Sequence, residues 1–231
     1  MLTFWACGII GANGAKSVEQ LEKFFDQFRR LNYKKGEVII RPNDEPSGVF
    51  YINRGYVKVY NLSESGQELD LIIFKPGDFF PMIWAFNDVP LTQYCEAMTP
   101  IEAHRSSKED FKEFLHRNPE VLWEVTSKIL VRLRGLLERM EYMVFGNAYQ
   151  KVASILVICA ERFGIKQKNE ILIRVPLTHR DIASLVGLTR ETTSVELKKL
   201  ERSKLVSKKG GQFRVRDLDK LKDEALWSKY A

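Results

Sequence analysis

The sequence is short of cysteine and histidine, and it has no long apolar run. Its three cysteines, Cys7, Cys95 and Cys159, are far apart, and 231 residues contain only three histidines. A disulfide framework, a closed zinc site or an iron–sulfur cluster needs more ligands at closer spacing, so we predict no metal and no cofactor. Because no run of about eighteen apolar residues occurs, no membrane-spanning helix is predicted.

The apolar N-terminal segment, residues 1–15, lacks the positively charged start and the long hydrophobic region of a signal peptide. We therefore expect a cytoplasmic protein, and we expect this segment to be poorly packed or mobile.

Catalytic motifs are missing as well. The sequence shows no pairing of a nucleophile with a base and no metal-ligand spacing, and the glycine-rich region 8–14 lacks the Gly-Lys-Ser/Thr of a P-loop. An enzyme is therefore not predicted.

Positive charge is present and is concentrated in one segment. The formal net charge of the chain is +6, and residues 178–216 contain ten Arg or Lys against four Asp or Glu. The excess in this segment thus equals that of the whole chain. A local basic surface of this kind is typical of a nucleic-acid interface.

The same segment has the pattern of a helix-turn-helix. Thr178 is a good N-cap with Asp181 three residues later, which predicts a helix over about residues 179–186. Gly187 can adopt the positive φ of a tight turn. Thr189 then caps a second helix, whose N-terminal end would enter the major groove of DNA.

This second helix and the segment after it supply the predicted DNA contacts. The base-reading residues near the start of the helix are Arg190, Glu191, Ser194 and Val195. The run SKKGGQFRVR predicts a basic hairpin, or wing, with Gly210-Gly211 at its tip. The predicted phosphate contacts are Thr178, Thr189, Thr192, Lys198, Lys199, Arg202, Lys208 and Lys209. A solvated helical hairpin without a DNA-binding role is the alternative.

Ahead of this segment, short β-rich runs predict a small antiparallel barrel or jelly roll within residues 34–103. The runs are EVII, GVFYI, YVKVY and ELDLIIF, followed by an apolar stretch after Asp78, and turn residues separate them. We expect an amphipathic helix before them, at about residues 18–31.

A single long helix is predicted over residues 119–145, where apolar residues recur at steps of three and four. It would span roughly 40 Å, more than one small barrel can cover, so we predict a partner helix from a second copy. The alternative is a core helix packed only within its own chain. The predicted dimer seam comprises Leu122, Val125, Ile129, Leu133, Leu136, Met140 and Met143.

The predicted fold is therefore α+β and has three parts. An N-terminal antiparallel β jelly-roll barrel over residues 1–117 is followed by a long dimerisation helix and hinge over 118–146. A C-terminal winged helix-turn-helix occupies 147–231.

This order of elements resembles the CRP/FNR superfamily of bacterial transcription regulators. The residues that carry the resemblance are Lys35-Gly36-Glu37, 49–52 (VFYI), 55–60 (GYVKVY), 76–79 (PGDF), Asn118-Pro119 and, most specifically, 188–192 (LTRET). The resemblance implies a homodimer that binds double-stranded DNA at an inverted repeat, with RNA polymerase as a candidate partner.

The resemblance also assigns roles in the second helix. Arg190 would bond a guanine, Glu191 a cytosine amino group, and Ser194 a thymine or a neighbouring base. Val195 departs from the family, since many relatives have an Arg there that bonds a base edge. A valine offers only apolar contact, for instance to a thymine methyl group.

The barrel, where members of the family bind their effector, departs further from the family pattern. Cyclic-nucleotide members carry a Gly-Glu pair and then an Arg-Ser or Arg-Thr pair, whereas this chain has Phe80-Pro81 and Leu91-Thr92-Gln93, with no Lys or Arg between Lys75 and His104. A buried cyclic phosphate would lack a countercharge, so a cyclic nucleotide is not the predicted effector. Candidate residues of a pocket for an apolar effector are Phe80, Met82, Trp84, Leu91 and Leu136; the alternative is a filled core that needs no ligand.

The predicted function is sequence-specific DNA binding by a transcription regulator with a degenerate or unidentified effector site. The alternative is a ligand-binding or scaffold module whose C-terminal domain contacts protein.

Overall fold

The computed structural model describes residues 12–225, with side chains from residue 16 onward. Most of the apolar segment 1–15, including Cys7, lies outside the described residues. By their packing the described residues form two compact units, 12–130 and 131–225, and the division falls inside one long helix. The predicted domain boundaries after residues 117 and 146 stay a prediction.

The N-terminal unit consists of strands with helices before and after them. Its helices are α1 (Ala12–Phe25), α2 (Met82–Phe86), α3 (Lys108–Arg117) and the first part of α4 (Pro119–Phe145). Its strands are β1 (Arg30–Tyr33), β2 (Val38–Ile40), β3 (Val49–Arg54), β4 (Val57–Leu62), β5 (Glu68–Phe74), β6 (Phe79–Phe80), β7 (Tyr94–Ala97) and β8 (Ile101–Ser106).

These strands form two four-stranded antiparallel sheets, ordered β1-β8-β3-β6 and β2-β7-β4-β5. Strand β3 is buried on both faces. Phe50 and Ile52 join the core that both sheets line, whereas Val49 and Tyr51 join a second core with α1, α3 and the start of α4. This division follows because successive side chains of a strand point to opposite faces. The predicted jelly roll is confirmed.

The predicted bounds of the first elements are wrong. Helix α1 ends at Phe25 rather than near residue 31, because Arg30–Tyr33 form β1, which pairs with β8 from Arg30–His104 to Tyr33–Ile101. The strands therefore begin before residue 34 and extend to Ser106. The apolar stretch after Asp78 forms only the two-residue strand β6 and then the short helix α2.

The C-terminal unit begins within α4. Its further helices are α5 (Ala148–Phe163), α6 (His179–Val186), α7 (Arg190–Arg202) and α8 (Leu218–Glu224), and its strands are β9 (Gly164–Gln167), β10 (Glu170–Ile173), β11 (Val206–Lys209) and β12 (Gln212–Val215). The strands form one sheet, ordered β11-β12-β10-β9. The sequence did not predict β9, β10 or α8.

Helix α4 has the predicted bounds, and the predicted break after it is confirmed. Asn147 caps α5: its side-chain Oδ1 accepts from the Gln150 amide at 2.9 Å, and the Gln150 side chain accepts from the Asn147 amide at 3.0 Å. This reciprocal capping box satisfies two amides at the start of α5 and fixes where that helix begins. Across residues 12–225, no helix combines the length and the apolar character needed to cross a membrane.

Candidate nucleic-acid interface

Helix α6 is fixed at both ends. At its start Thr178 Oγ1 accepts from the Asp181 amide at 3.1 Å, and the Asp181 carboxylate accepts from the Thr178 amide at 2.6 Å. At its end Gly187 has φ 65° and ψ 35°, a left-handed conformation that costs other residues roughly 1–2 kcal/mol. The first helix of the motif therefore begins and ends where predicted. Its buried residues include Ile182, Ala183, Leu185 and Val186.

Helix α7 presents predicted base-reading residues on its exposed side. Thr189 caps it, its Oγ1 accepting from the Thr192 amide at 3.1 Å. Thr193, Glu196, Leu197 and Leu200 form the buried side. The other side carries Arg190, Glu191 and Val195, all exposed. Val195 is 53% exposed, so its apolar side chain is available for contact with a ligand.

The predicted wing is confirmed as the hairpin of β11 and β12. Gly210 and Gly211 at its tip have φ 61° and 79°, the two positive values that a two-residue type I′ turn requires. Phe213 has no exposed surface and anchors the hairpin in the interior. Lys208 Nζ lies 4.6 Å from the centre of the Phe213 ring. Partial burial lowers the pKa of Lys208, while the carboxylates of Asp181 and Glu201 act in the opposite direction.

Ser194 is tied to the first helix. Its Oγ lies 2.9 Å from Nδ1 of His179, the first residue of α6. Both side chains are half-buried at the edge of the exposed side of α7. Burial lowers the pKa of His179, and nearby Lys208, Arg190 and Lys198 lower it further against the opposing effect of Glu201. This pair was not predicted, because the two residues are fifteen positions apart.

The predicted phosphate contacts divide into two groups. The first has polar atoms that cap helices or pair within the fold: Thr178, Thr189, Thr192 and Lys199. The Lys199 ammonium, for example, lies 2.8 Å from Glu196. The second group is exposed and comprises Lys198, Arg202 and Lys209. The eighth residue, Lys208, belongs to neither group, because it is half-buried and lies over the Phe213 ring. The contacts of all eight residues with phosphate stay predictions.

The structure corrects the predicted dimer seam. Val125 is only 3% exposed, and Leu122 and Ile129 pack against the second core of the N-terminal unit, because the first half of α4 covers that core. These three residues therefore stabilise their own chain. Of the others, Met143 is half-buried and Leu136 is 38% exposed.

Helix α4 instead leaves a different set of apolar residues uncovered. They recur at alternating steps of three and four and are 50–71% exposed. We call this set the exposed stripe; it consists of Leu130, Leu133, Leu137, Met140 and Val144. It shares only Leu133 and Met140 with the predicted seam. The alternation of three and four is the pattern of a helix that pairs with another helix.

The predicted effector-pocket residues of the N-terminal unit are part of its packed interior. Phe80 has no exposed surface and stacks on Phe50 and Phe74, with ring centres 5.2 Å and 5.8 Å away. Leu91, 7% exposed, joins the same core, and Met82 and Trp84 pack against it. These contacts favour the filled-core alternative. Within residues 12–225, no group of three or more His, Cys, Asp or Glu side chains could hold a metal ion.

Arg139 is a further residue that sequence reasoning missed. It is only 8% exposed, and its guanidinium donates to the carbonyl oxygen of Leu185 in the last turn of α6. The carbonyls of a last turn have no partner within the helix, and a cation is favoured at that end. Arg139 therefore ties α4 to the helix-turn-helix. A lone arginine in an amphipathic pattern gives no signal of such a contact.

The fold and this site define a class of protein: a regulator that joins a barrel to a winged helix-turn-helix. Comparison with known families agrees. Residues 30–118 match the model of the cyclic nucleotide-binding domain, and residues 150–224 match the Crp-like helix-turn-helix domain.

Known relatives and solved structures match over most of the chain. The CRP-like cAMP-activated global transcriptional regulator of Mycobacterium tuberculosis is 25% identical over 171 residues, 74% of this chain and 76% of the relative. The cAMP-activated global transcriptional regulator CRP of Pasteurella multocida is 25% identical over 191 residues, 82% and 91% of the two chains. A mutant of CooA from Carboxydothermus hydrogenoformans has a TM-score of 0.73 at 26% identity, covering 87% and 89%.

The chain belongs to the CRP/FNR superfamily of transcription regulators, which confirms the predicted resemblance. Its C-terminal helix-turn-helix is of the DNA-binding Crp type, and its relatives are regulators rather than enzymes.

Proposed function

We propose that this chain is a homodimeric transcription regulator that binds an inverted-repeat operator. The observation that carries the proposal is the exposed start of α7, where Arg190, Glu191 and Val195 stand beside a basic wing. An Arg can form two hydrogen bonds to guanine O6 and N7, and a Glu can accept from the amino group of cytosine. Val195 would contact a thymine methyl group. RNA polymerase is a candidate partner.

The exposed stripe on α4 supports the homodimer. Five large apolar side chains lie in one row on a helix, and contiguous apolar surface of this kind marks an interaction site. A second copy of the same helix offers the matching surface, since both carry steps of three and four. A two-fold dimer would place two α7 helices in successive major grooves. The half-sites of the operator would then lie roughly 34 Å apart.

The effector site of this proposal does not hold a cyclic nucleotide. Phe80 and Leu91 stand where cyclic-nucleotide members carry the Gly-Glu pair and the Arg-Ser or Arg-Thr pair, and both face the barrel core. Lys58 is a buried cation of β4, but it alternates with the core residues Val57 and Val59 and so points to the other face of its sheet. Its ammonium lies 2.6 Å from Glu68. A buried phosphate in the core would therefore meet apolar side chains, which disfavours an anion.

Calorimetry with cyclic AMP and cyclic GMP tests this part of the proposal. We expect no saturable heat with either nucleotide. The regulator of Mycobacterium tuberculosis, described as cAMP-activated, is the positive control under the same conditions. Saturable binding of either nucleotide to this chain would show that Phe80 and Leu91 do not prevent a cyclic phosphate from binding.

The double variant Arg190→Ala/Glu191→Ala tests the DNA-reading role. Loss of base contacts should cost about 1–3 kcal/mol each and should relax sequence preference. Lys151→Ala, a half-buried change at α5, is a control outside the recognition helix. A double variant that keeps the wild-type sequence preference would instead support the alternative, a module whose C-terminal domain contacts protein.

A further inference from the structure

We propose that His179 is a specificity-determining positioning residue, and that its protonation state sets which bases Ser194 prefers. The inference rests on the proposed function, in that Ser194 must face DNA from α7. It adds to that function a residue of α6 that itself need not touch a base.

The contact between the two helices supports this role. His179 Nδ1 and Ser194 Oγ are 2.9 Å apart, a hydrogen-bond distance. Both residues are half-buried, so the pair lies where α6 and α7 meet and not in open solvent. The ring of Phe213 on the wing lies beside the imidazole, with ring centres 6.1 Å apart and planes tilted by 32°. The imidazole is thus held between α7 and the wing and can fix the orientation of the Ser194 hydroxyl.

The protonation state of the ring decides the direction of this hydrogen bond. A protonated imidazole donates from both nitrogens, so Ser194 Oγ must accept from Nδ1 and its own hydrogen is left to donate to DNA. In neutral His179 we assign the proton to Nε2. Nδ1 then accepts from the hydroxyl, and Ser194 can offer DNA only its oxygen lone pairs.

The two states should favour different bases. A donating hydroxyl suits guanine or thymine, which present only acceptors in the major groove, whereas an accepting oxygen suits cytosine, which presents only its amino group as a donor. Adenine presents both the acceptor N7 and an amino group, so it suits either state. Ser194 is therefore an adjustable reader, and His179 is the residue that adjusts it.

The charges around His179 place this change on the acidic side of neutrality. Burial and nearby cations lower its pKa from 6.5, and Glu201 acts in the opposite direction. The neutral state therefore predominates in the free protein above about pH 7. Bound DNA phosphates would act like Glu201 and favour protonation. The charged groups near His179 are Lys208 on β11, Arg190, Lys198 and Glu201 on α7, and Arg180 and Asp181 on α6 itself.

The experiment compares operators that differ only at the base pair read by Ser194. That position is first identified as the one where Ser194→Ala loses its preference in a selection from random DNA. The ratio of affinities for the operator variants is then measured with the full chain at about pH 8 and about pH 5, the second value lying well below the ordinary histidine pKa because that of His179 is lowered. Using a ratio at each pH cancels any general effect of acid on DNA binding.

We expect wild type to favour cytosine over guanine or thymine at the higher pH and to shift toward guanine or thymine at the lower pH. One hydrogen bond corresponds to a change of about fivefold in the ratio. His179→Gln, whose amide does not titrate, should give the same ratio at both pH values. His116→Gln, an exposed change on α3, should keep the wild-type shift.

Two outcomes overturn the inference while leaving DNA reading by the rest of α7 intact. One is a wild-type ratio that is unchanged between the two pH values, and the other is a shift that persists in His179→Gln. A Ser194→Ala variant with wild-type preference everywhere overturns it as well, because Ser194 would then read no base. Wild-type protein that selects no sequence would instead show that the proposed function itself is wrong.

Discussion

Leu137→Asp should separate the two copies of the proposed dimer. Leu137 lies at the centre of the exposed stripe and is 57% exposed in the single chain. Complete burial of a leucine stabilises by about 1.5–3 kcal/mol, so covering just over half of it is worth about 1–1.5 kcal/mol in each copy. Two-fold symmetry doubles this to about 2–3 kcal/mol, and the dissociation constant of the dimer should rise by about 100-fold. A buried carboxylate adds a further penalty.

Sedimentation over a dilution series measures this dissociation constant. Val131→Asp is the matched control: it places the same charge on the same helix at a residue that is 49% exposed but one position off the stripe. It should leave the dimer unchanged. If Leu137→Asp and Val131→Asp give the same dissociation constant as wild type, the exposed stripe is not the dimer contact. Ile129 would be a poor choice for this test, since it packs within its own chain.

The remaining predictions concern the recognition helix, its support and the effector. Arg190→Ala/Glu191→Ala should lower operator affinity and relax specificity in a binding titration; an unchanged operator preference would exclude these two residues as base readers. Arg139→Met removes a donor to the Leu185 carbonyl and should lower the free energy of unfolding by about 1–3 kcal/mol in urea titration. Arg134→Met, at a side chain 45% exposed, is its control, and equal stability of the two variants would contradict the role of Arg139. Cyclic AMP should give no saturable heat.

The sequence was most informative where a structure depends on neighbouring residues. Thr178 and Asp181 form a capping box within one turn, and Gly187 adopts a left-handed conformation that its lack of a side chain allows. Gly210-Gly211 likewise determine their own turn. Helix ends and the wing tip could therefore be predicted from a few consecutive residues.

Contacts between distant segments could not be predicted in this way. Val125 and Leu137 both fit steps of three and four, and the period of a helix does not say which side its own chain covers. Residues 30–33 are a strand only because β8 lies beside them. The pairing of His179 with Ser194 and of Arg139 with Leu185 depends on how helices pack. Such pairs leave no local pattern.

The most direct test of the proposed function is selection of bound sequences from a random DNA pool by this chain. We predict an inverted repeat with half-sites roughly 34 Å apart, bound by the dimer and lost with Arg190→Ala/Glu191→Ala. Enrichment of a single half-site, of a direct repeat or of no sequence would contradict it.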